Sequence, residues 1–504
     1  MWRRRDILRL AGAAVGLGAL PAARTLAQAG GDAFDPAAVA AAARALAKKP
    51  YQAPASGDLP DAYTKLNYEQ YVALRRKPGT ALWQNEAVGF AIEPLHRGFV
   101  FNAPIHLNVI ENGVARQLMY DANAFEFPPE GPKPPKDDIG FSGFRILQTR
   151  ENSESAEIAI FQGFSFFRAL APGQNFGTVA RALAIRTAEA NGEELPVFRA
   201  VWIEKPTLAN NALVIHALID SESLAGACRF TLRPGEATII DTECTLFARV
   251  AVDNFGLAAM QASALHSPLE RARFDDFRPE VAEVSGLQML TGRGEWLWRP
   301  VSNRENLQIS LFSDENPKGF GLMQRRRRLE QFADFDQHWE LRPSLWIEPI
   351  GDWGAGALQL IEIPSESEAN DNIVAFWRPK QPLAPGTEQS FAYRQFWCWA
   401  PPVRPPLATA ALARSGKAGK RRRFIVEFSG DILADLTRAA DIKPMLTAGP
   451  GAIAAMRGFL SRENKIFHVL FELDPGAEPL CEIRLLLESG GKPLSETWLY
   501  RWTP

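Results

Sequence analysis

The chain has 504 residues, of which 46% are hydrophobic and 23% charged, with a formal net charge of −2. This is the composition of an ordinary globular protein, and the near-zero charge gives no electrostatic reason to expect nucleic acid as a partner. With a leader of 29 residues set aside, about 475 residues remain, more than one ordinary core holds, so two domains are expected.

The leader has a basic start, an apolar middle and a small-residue end. Arg3, Arg4 and Arg5 precede Asp6, Ile7, Leu8 and Arg9, which fits the R-R-x-x-L-K pattern of twin-arginine signals. The stretch from Leu10 to Leu20 is rich in Ala and Gly and well short of the ~20 residues that cross a bilayer. Ala27-Gln28-Ala29 supplies a small-x-small cleavage site, so residues 1–29 are expected to be removed and the mature chain to begin at Gly30 in the periplasm. A retained N-terminal anchor is the competing reading. No later apolar run has spanning length, so no membrane crossing is expected after cleavage.

Asp35-Pro36 then opens an Ala-rich helix to about Ala47: Asp suits the cap, Pro the first helical position, and Pro50 stops it. Beyond about residue 80 the pattern changes. β-prone runs at 88–92, 98–101, 107–110, 157–161, 212–220, 229–232 and 238–247 alternate with Pro-Gly and Asn-Gly turns, which predicts antiparallel sandwich or barrel. Residues 30–399 are taken as one large β domain. The Pro-rich, then small and basic stretch 400–422 has linker composition. Strands near 424–428, 466–473, 483–487 and 498–502 predict a small β-sandwich over 423–504. Cys228, Cys244, Cys398 and Cys481 lack metal-ligand spacing and are read as free or buried. A tight turn at Pro234-Gly235 would set Cys228 opposite a residue near 241, away from Cys244.

Eight of the thirteen tryptophans lie between Trp296 and Trp399, interleaved with carboxylates such as Glu348, Asp352, Glu362 and Asp371. Aromatic faces pack on the C–H faces of sugar rings, carboxylates and Arg bind hydroxyls, and glycoside cleavage needs two carboxyl groups flanking the bond. A carbohydrate groove is one reading. The other is that Trp fills a large core, which for any single Trp is the commoner role. No G-x-S-x-G elbow, H-E-x-x-H motif or phosphate loop occurs, and the six histidines lack ligand spacing, so no cofactor or metal is expected.

Several boxes, in order, resemble the periplasmic glucan biosynthesis proteins of the G/D type (MdoG/OpgG and MdoD/OpgD). The segment from Glu340 to Pro349 continues through Gly351-Asp352-Trp353-Gly354 and Ile361-Glu362-Ile363-Pro364 to the stretch Asn370-Asp371-Asn372 that ends at Trp377. Gly294-Glu295-Trp296-Leu297-Trp298-Arg299-Pro300, the run from Asn316 to Arg325, Gly163 to Arg168, and Leu494 to Trp498 also match. The twin-arginine leader is similar to the D type. The resemblance implies a mainly β chain: a large N-terminal galactose-mutarotase-like sandwich joined to a C-terminal immunoglobulin-like sandwich.

It also implies β-1,2-glucan as substrate, inverting β-1,2-glucanase or transglycosylase activity, and transient contact with inner-membrane glucan synthesis enzymes. The rival is a non-catalytic glucan-binding protein that presents the chain to those enzymes. The family's general acid, the Asp of the N-D-N box, corresponds to Asp371. The family's base is an Asp in an H-D-S-[ND]-G box, where this chain has Ala282-Glu283-Val284-Ser285-Gly286. Glu283 keeps the carboxylate and adds a methylene, a shift of ~1 Å that can cost ~10²-fold in rate. Trp296, Trp298, Trp346, Trp353 and Trp377 are the expected sugar platforms, and Arg299, Arg342, Glu348 and Asp352 the expected polar contacts.

Overall fold

The computed structural model describes residues 33–149, 155–270, 273–434, 441–461 and 463–504; the leader and its twin-arginine reading lie outside them. The predicted helix is Pro36–Ala47, with the Asp35 side chain accepting from the Ala37 amide at 2.9 Å. Its apolar face, Val39 and Ala43, packs on Trp202, Leu218 and Phe247 of the neighbouring strands. The remainder is mainly β. Most of the β-prone runs become strands, whereas 98–101 closes a turn in which the Gly98 and Phe101 amides bond each other's carbonyls.

A 10-stranded sheet and a 15-stranded sheet dominate. Their strands follow the period of two, and the inward-facing residues of both sheets, among them Phe144, Phe161, Phe230, Leu257 and Trp377, form one core. At the centre of the smaller sheet, Phe255–Ala262 lies between Val179–Arg181 and Ile373–Pro379. Beyond it Ala264–His266 pairs with Val281–Ala282. These few strands position the candidate site.

The C-terminal residues build a second core without leaving the large sheet. Thr497–Trp502 pairs in parallel with Trp296–Pro300, setting Trp498 opposite Trp298. Cys481–Ser489 and Lys443–Gly449 extend the same sheet outward. A separate 4-stranded sheet faces them across Phe424, Phe471, Trp498 and Tyr500. The stretch expected as a linker, 400–422, is corrected here: Thr409–Ala418 is a strand paired with Arg421–Ser429. Its small residues resemble linker composition because Ala410 and Ala413 pack closely into the second core.

The cysteines also depart from expectation. The last pair of the hairpin is Arg233 opposite Ile239, so its loop is longer than a tight turn and the register moves by three residues. Cys228 then faces Cys244 directly and the two form a disulfide, while Cys398 and Cys481 are free and buried. Alkylation of the denatured, unreduced protein is expected to label two thiols, rising to four after reduction. Replacing both Cys228 and Cys244 by Ser is expected to cost about 3 kcal/mol for a loop of this length, measured by chemical denaturation.

Candidate active site

Asp371 sits two residues before the strand Ile373–Pro379, in a loop held by its neighbours. Asn372 Oδ1 accepts from the Ala264 amide at 2.8 Å, and its Nδ2 donates to the carbonyls of Ala264 (3.0 Å) and Ile363 (3.1 Å). Asn370 Nδ2 donates to Ser365 Oγ at 3.0 Å. The two asparagines therefore order the loop, which frees Asp371 from that task. Asp371 Oδ2 instead accepts from Gln261 Nε2 at 2.7 Å.

The orientation of that amide is set from behind. Gln261 Oε1 accepts from Arg181 Nε, and a guanidinium only donates, so the Gln261 NH₂ faces Asp371. Arg181 is in turn paired with Glu193, whose Oε1 also accepts from Thr187. Gln261 and Arg181 are both buried, so the Asp371 side chain meets a preset donor.

Glu283 follows the short strand Val281–Ala282. Its amide donates to the Ser263 carbonyl at 2.9 Å, and its carboxylate accepts from the Ser263 amide at 3.1 Å. Burial of the carboxyl, followed by the charge of Asp371, pushes Glu283 up from 4.5 to about 7; Arg342, the Ser263 N–H and Arg168 pull the other way. Burial and a like-charged neighbour both disfavour the ionised form, so the pair holds a proton well above the usual carboxylate range.

Arg342 donates to the Phe176 carbonyl and, at 3.2 Å, to Gln337 Oε1, and its guanidinium lies 5.2 Å from the Trp339 ring centroid. A Cβ on Gly177 would stand 3.0 Å from Arg342 Cδ, so glycine there makes room for the side chain. Arg168, Glu283, Arg342 and Asp371 are all half-buried, and their charges bear on one another, so two carboxyls and two guanidiniums form one polar cluster.

The other expected site residues are placed elsewhere. Trp346 and Trp377 are 0% exposed, and Trp296 and Trp298 are buried as well. Trp296 stacks on Trp346 at 5.8 Å and the Arg325 guanidinium covers Trp298 at 3.5 Å, both within the second core. Trp377 belongs to the first core. These four faces are taken by protein and none is open to a sugar. Arg299 is 3% exposed and paired with buried Glu362 at 3.1 Å. Glu348 accepts from Trp346 Nε1 at 3.3 Å. Asp352 accepts from the Gly354 amide at 2.9 Å. Half-buried Trp353, with Asp352, lines a separate cleft of about 650 Å³ that also includes Arg229, Glu243 and the disulfide.

Sequence reasoning missed Gln261, although it is the only polar side chain in the strand Phe255–Ala262, an otherwise apolar run. It also passed over Phe335, which is 77% exposed beside Asp334, on the segment that touches Arg342 through Gln337.

The family model described as "Periplasmic glucan biosynthesis protein, MdoG" matches residues 34–502, and the chain belongs to that family. It is therefore a member of a periplasmic protein family of glucan biosynthesis. Among its relatives, a "Glucans biosynthesis protein G" of Rhodopseudomonas palustris (strain BisA53) is 42% identical over 474 residues, covering 94% of each chain. Proteins of the same name from Shewanella sp. (strain MR-4) and Vibrio cholerae serotype O1 (strain M66-2) are 43% and 42% identical, over 93% of this chain and 87% of theirs. These relatives all carry the G name. A solved polysaccharide lyase aligns at a TM-score of 0.16 and 10% identity, over 83% of this chain and 47% of its own.

Proposed function

We propose that the chain is a periplasmic hydrolase or transglycosylase of β-1,2-glucan that inverts the anomeric centre, with Asp371 as general acid and Glu283 as general base. The observation that carries this reading is a pair of neighbouring carboxyls, Asp371 and Glu283, in which burial and the charge of one let the pair keep a proton up to about pH 7, so that an acid and a base stand together. In the reactive form that shared proton is on Asp371, the acid, and Glu283 is the ionised base that takes a proton from water. Arg342 and Arg168 lie beside the pair and suit hydroxyl recognition. Two separate hydrophobic cores support the reading of a mutarotase-like sandwich followed by an immunoglobulin-like one. Export by the twin-arginine route belongs to the same proposal and is tested by replacing Arg3, Arg4 and Arg5 with Lys, which is expected to leave the precursor uncleaved in the cytoplasm.

The test is incubation with linear β-1,2-glucan, following product size and anomeric form. The expected result is product of inverted configuration from the wild type and about a thousandth of that rate from Asp371→Asn. A wild type that binds the glucan yet forms no more product than Asp371→Asn is a presenting protein and not an enzyme. Phe335→Ala is expected to raise KM about fivefold with kcat little changed, because a stacked aromatic face contributes ~1 kcal/mol to binding. An unchanged KM would remove Phe335 from the groove.

A further inference from the structure

Three loops converge beside the carboxyl pair, and one side chain joins them. Arg278 donates from Nη1 to Asp334 Oδ2 at 2.6 Å, and from Nη2 to Asp276 Oδ2 at 2.8 Å and Glu368 Oε2 at 2.7 Å; its Nε also reaches both Asp276 oxygens. Each carboxylate belongs to a different part of the site. Glu368 lies in the loop that carries Asp371. Asp276 precedes the strand that leads into Glu283. Asp334 accepts from Trp339 Nε1 at 2.8 Å, beneath the Arg342 guanidinium.

We propose that Arg278 is the positioning residue of this site, a clasp whose single guanidinium sets the spacing of the loops bearing Asp371, Glu283 and Arg342. The inference rests on the catalytic reading only for its effect on turnover; the clasp itself is a matter of geometry. One cation faces three anions, so without it the local charge is −3 and the loops repel. Arg278 is mostly buried, with a side chain 16% exposed, and Asp334 is 7% exposed, so water screens that repulsion poorly. The same contact holds Asp276 well below the usual carboxylate range.

Backbone strain is an independent sign that this loop is held from outside. Ala333 and His338, at its two ends, have φ of 52° and 50°, left-handed values that non-glycine residues adopt at a cost on the order of 1 kcal/mol or more. Between them Asp334 Oδ1 accepts from the amides of Asp336 (3.1 Å) and Gln337 (3.0 Å) while its other oxygen meets Arg278. Gln337 in turn contacts Arg342. A guanidinium supplies a planar fork of donors that an ammonium lacks, so Lys keeps the charge and loses the three-way reach.

The experiment compares wild type with Arg278→Lys and with Glu368→Gln, the second a milder change at a partly exposed position. Hydrogen exchange is followed in peptides covering 333–342 and 364–371, alongside kinetics on linear β-1,2-glucan. The expected result is exchange at least about tenfold faster in both loops, and kcat lowered about 10²-fold with KM changed less than about threefold. If neither variant alters exchange in these loops, or both alter it while kcat of an active wild type is kept, the proposal is overturned. If the wild type turns over no glucan but the variants still loosen both loops, the clasp stands and the catalytic reading of the site falls.

Discussion

Turnover of linear β-1,2-glucan is expected to fall as pH rises through a limb near 7, and to drop by about three orders of magnitude in both Glu283→Gln and Asp371→Asn. The sign follows from the role. Burial first, and the Asp371 charge second, bring Glu283 up to about 7, so below that pH the pair keeps the one proton that the acid needs and above it both carboxyls are ionised. As pH rises through 7 that last proton is lost and kcat/KM falls. A limb that rose through 7 would instead show that the pair acts without its proton and that another group is the acid. Glu283→Asp is expected to restore part of the rate lost in Glu283→Gln, because it keeps the carboxylate and displaces it by only about 1 Å.

The same displacement bears on stability. Between about 4.5 and about 7 the folded protein holds a proton on Glu283 that the unfolded chain has released, so the contribution of this group is fully present below 4.5 and lost as pH passes 7. Glu283→Gln removes that loss. The variant is expected to melt higher than wild type at pH 8, with the difference vanishing near pH 4, in scans at one fixed heating rate. An inactive variant that is more stable at high pH marks a group kept for chemistry at the expense of the fold.

The second large effect concerns Arg299 and Glu362. Arg299→Ala or Glu362→Ala is expected to cost about 3–5 kcal/mol, measured by denaturant unfolding, because each leaves its partner charged, buried and unmatched. Arg299 is on the strand Trp296–Pro300 of the larger sheet and Glu362 ends the strand Ala355–Glu362 of the smaller one, so the pair ties the two sheets together. Glu362 Oε1 also accepts from Ser302 Oγ at 2.8 Å and from the Ser302 amide, which completes its hydrogen bonding. Arg342→Ala, by contrast, is expected to impair glucan turnover with a stability change below about 1 kcal/mol, since its side chain is half-buried and has no carboxylate bonded to it. If Arg299→Ala unfolded at the wild-type midpoint but lost glucan affinity, the sequence-based view of Arg299 as a sugar contact would be the right one.

The contrast between these two arginines shows what sequence reading can and cannot reach. Both fall in boxes that match the family, and both have the chemistry of hydroxyl recognition. Only the packing separates them: one is enclosed between sheets and the other lies half-buried beside the carboxyl pair. The tryptophans repeat the point. Their period along strands shows which residues share a face, but a face becomes core or groove according to whether another sheet covers it. Here the C-terminal strands cover Trp296, Trp298 and Trp346, and those strands lie far away in sequence.

By itself the sequence determined the helix Pro36–Ala47 with its cap, the mainly β character, the family, and the pair Asp371 and Glu283 as the residues to examine. These depend on local signals or on ordered motifs, which survive without knowledge of the fold. The tertiary structure alone decided the Cys228–Cys244 pairing, the strand inside the expected linker, the burial of the tryptophans and the Arg278 clasp. Each turns on loop length, register or the approach of distant segments. A register shift of three residues, or one sheet laid over another, changes every such contact while leaving the local pattern untouched.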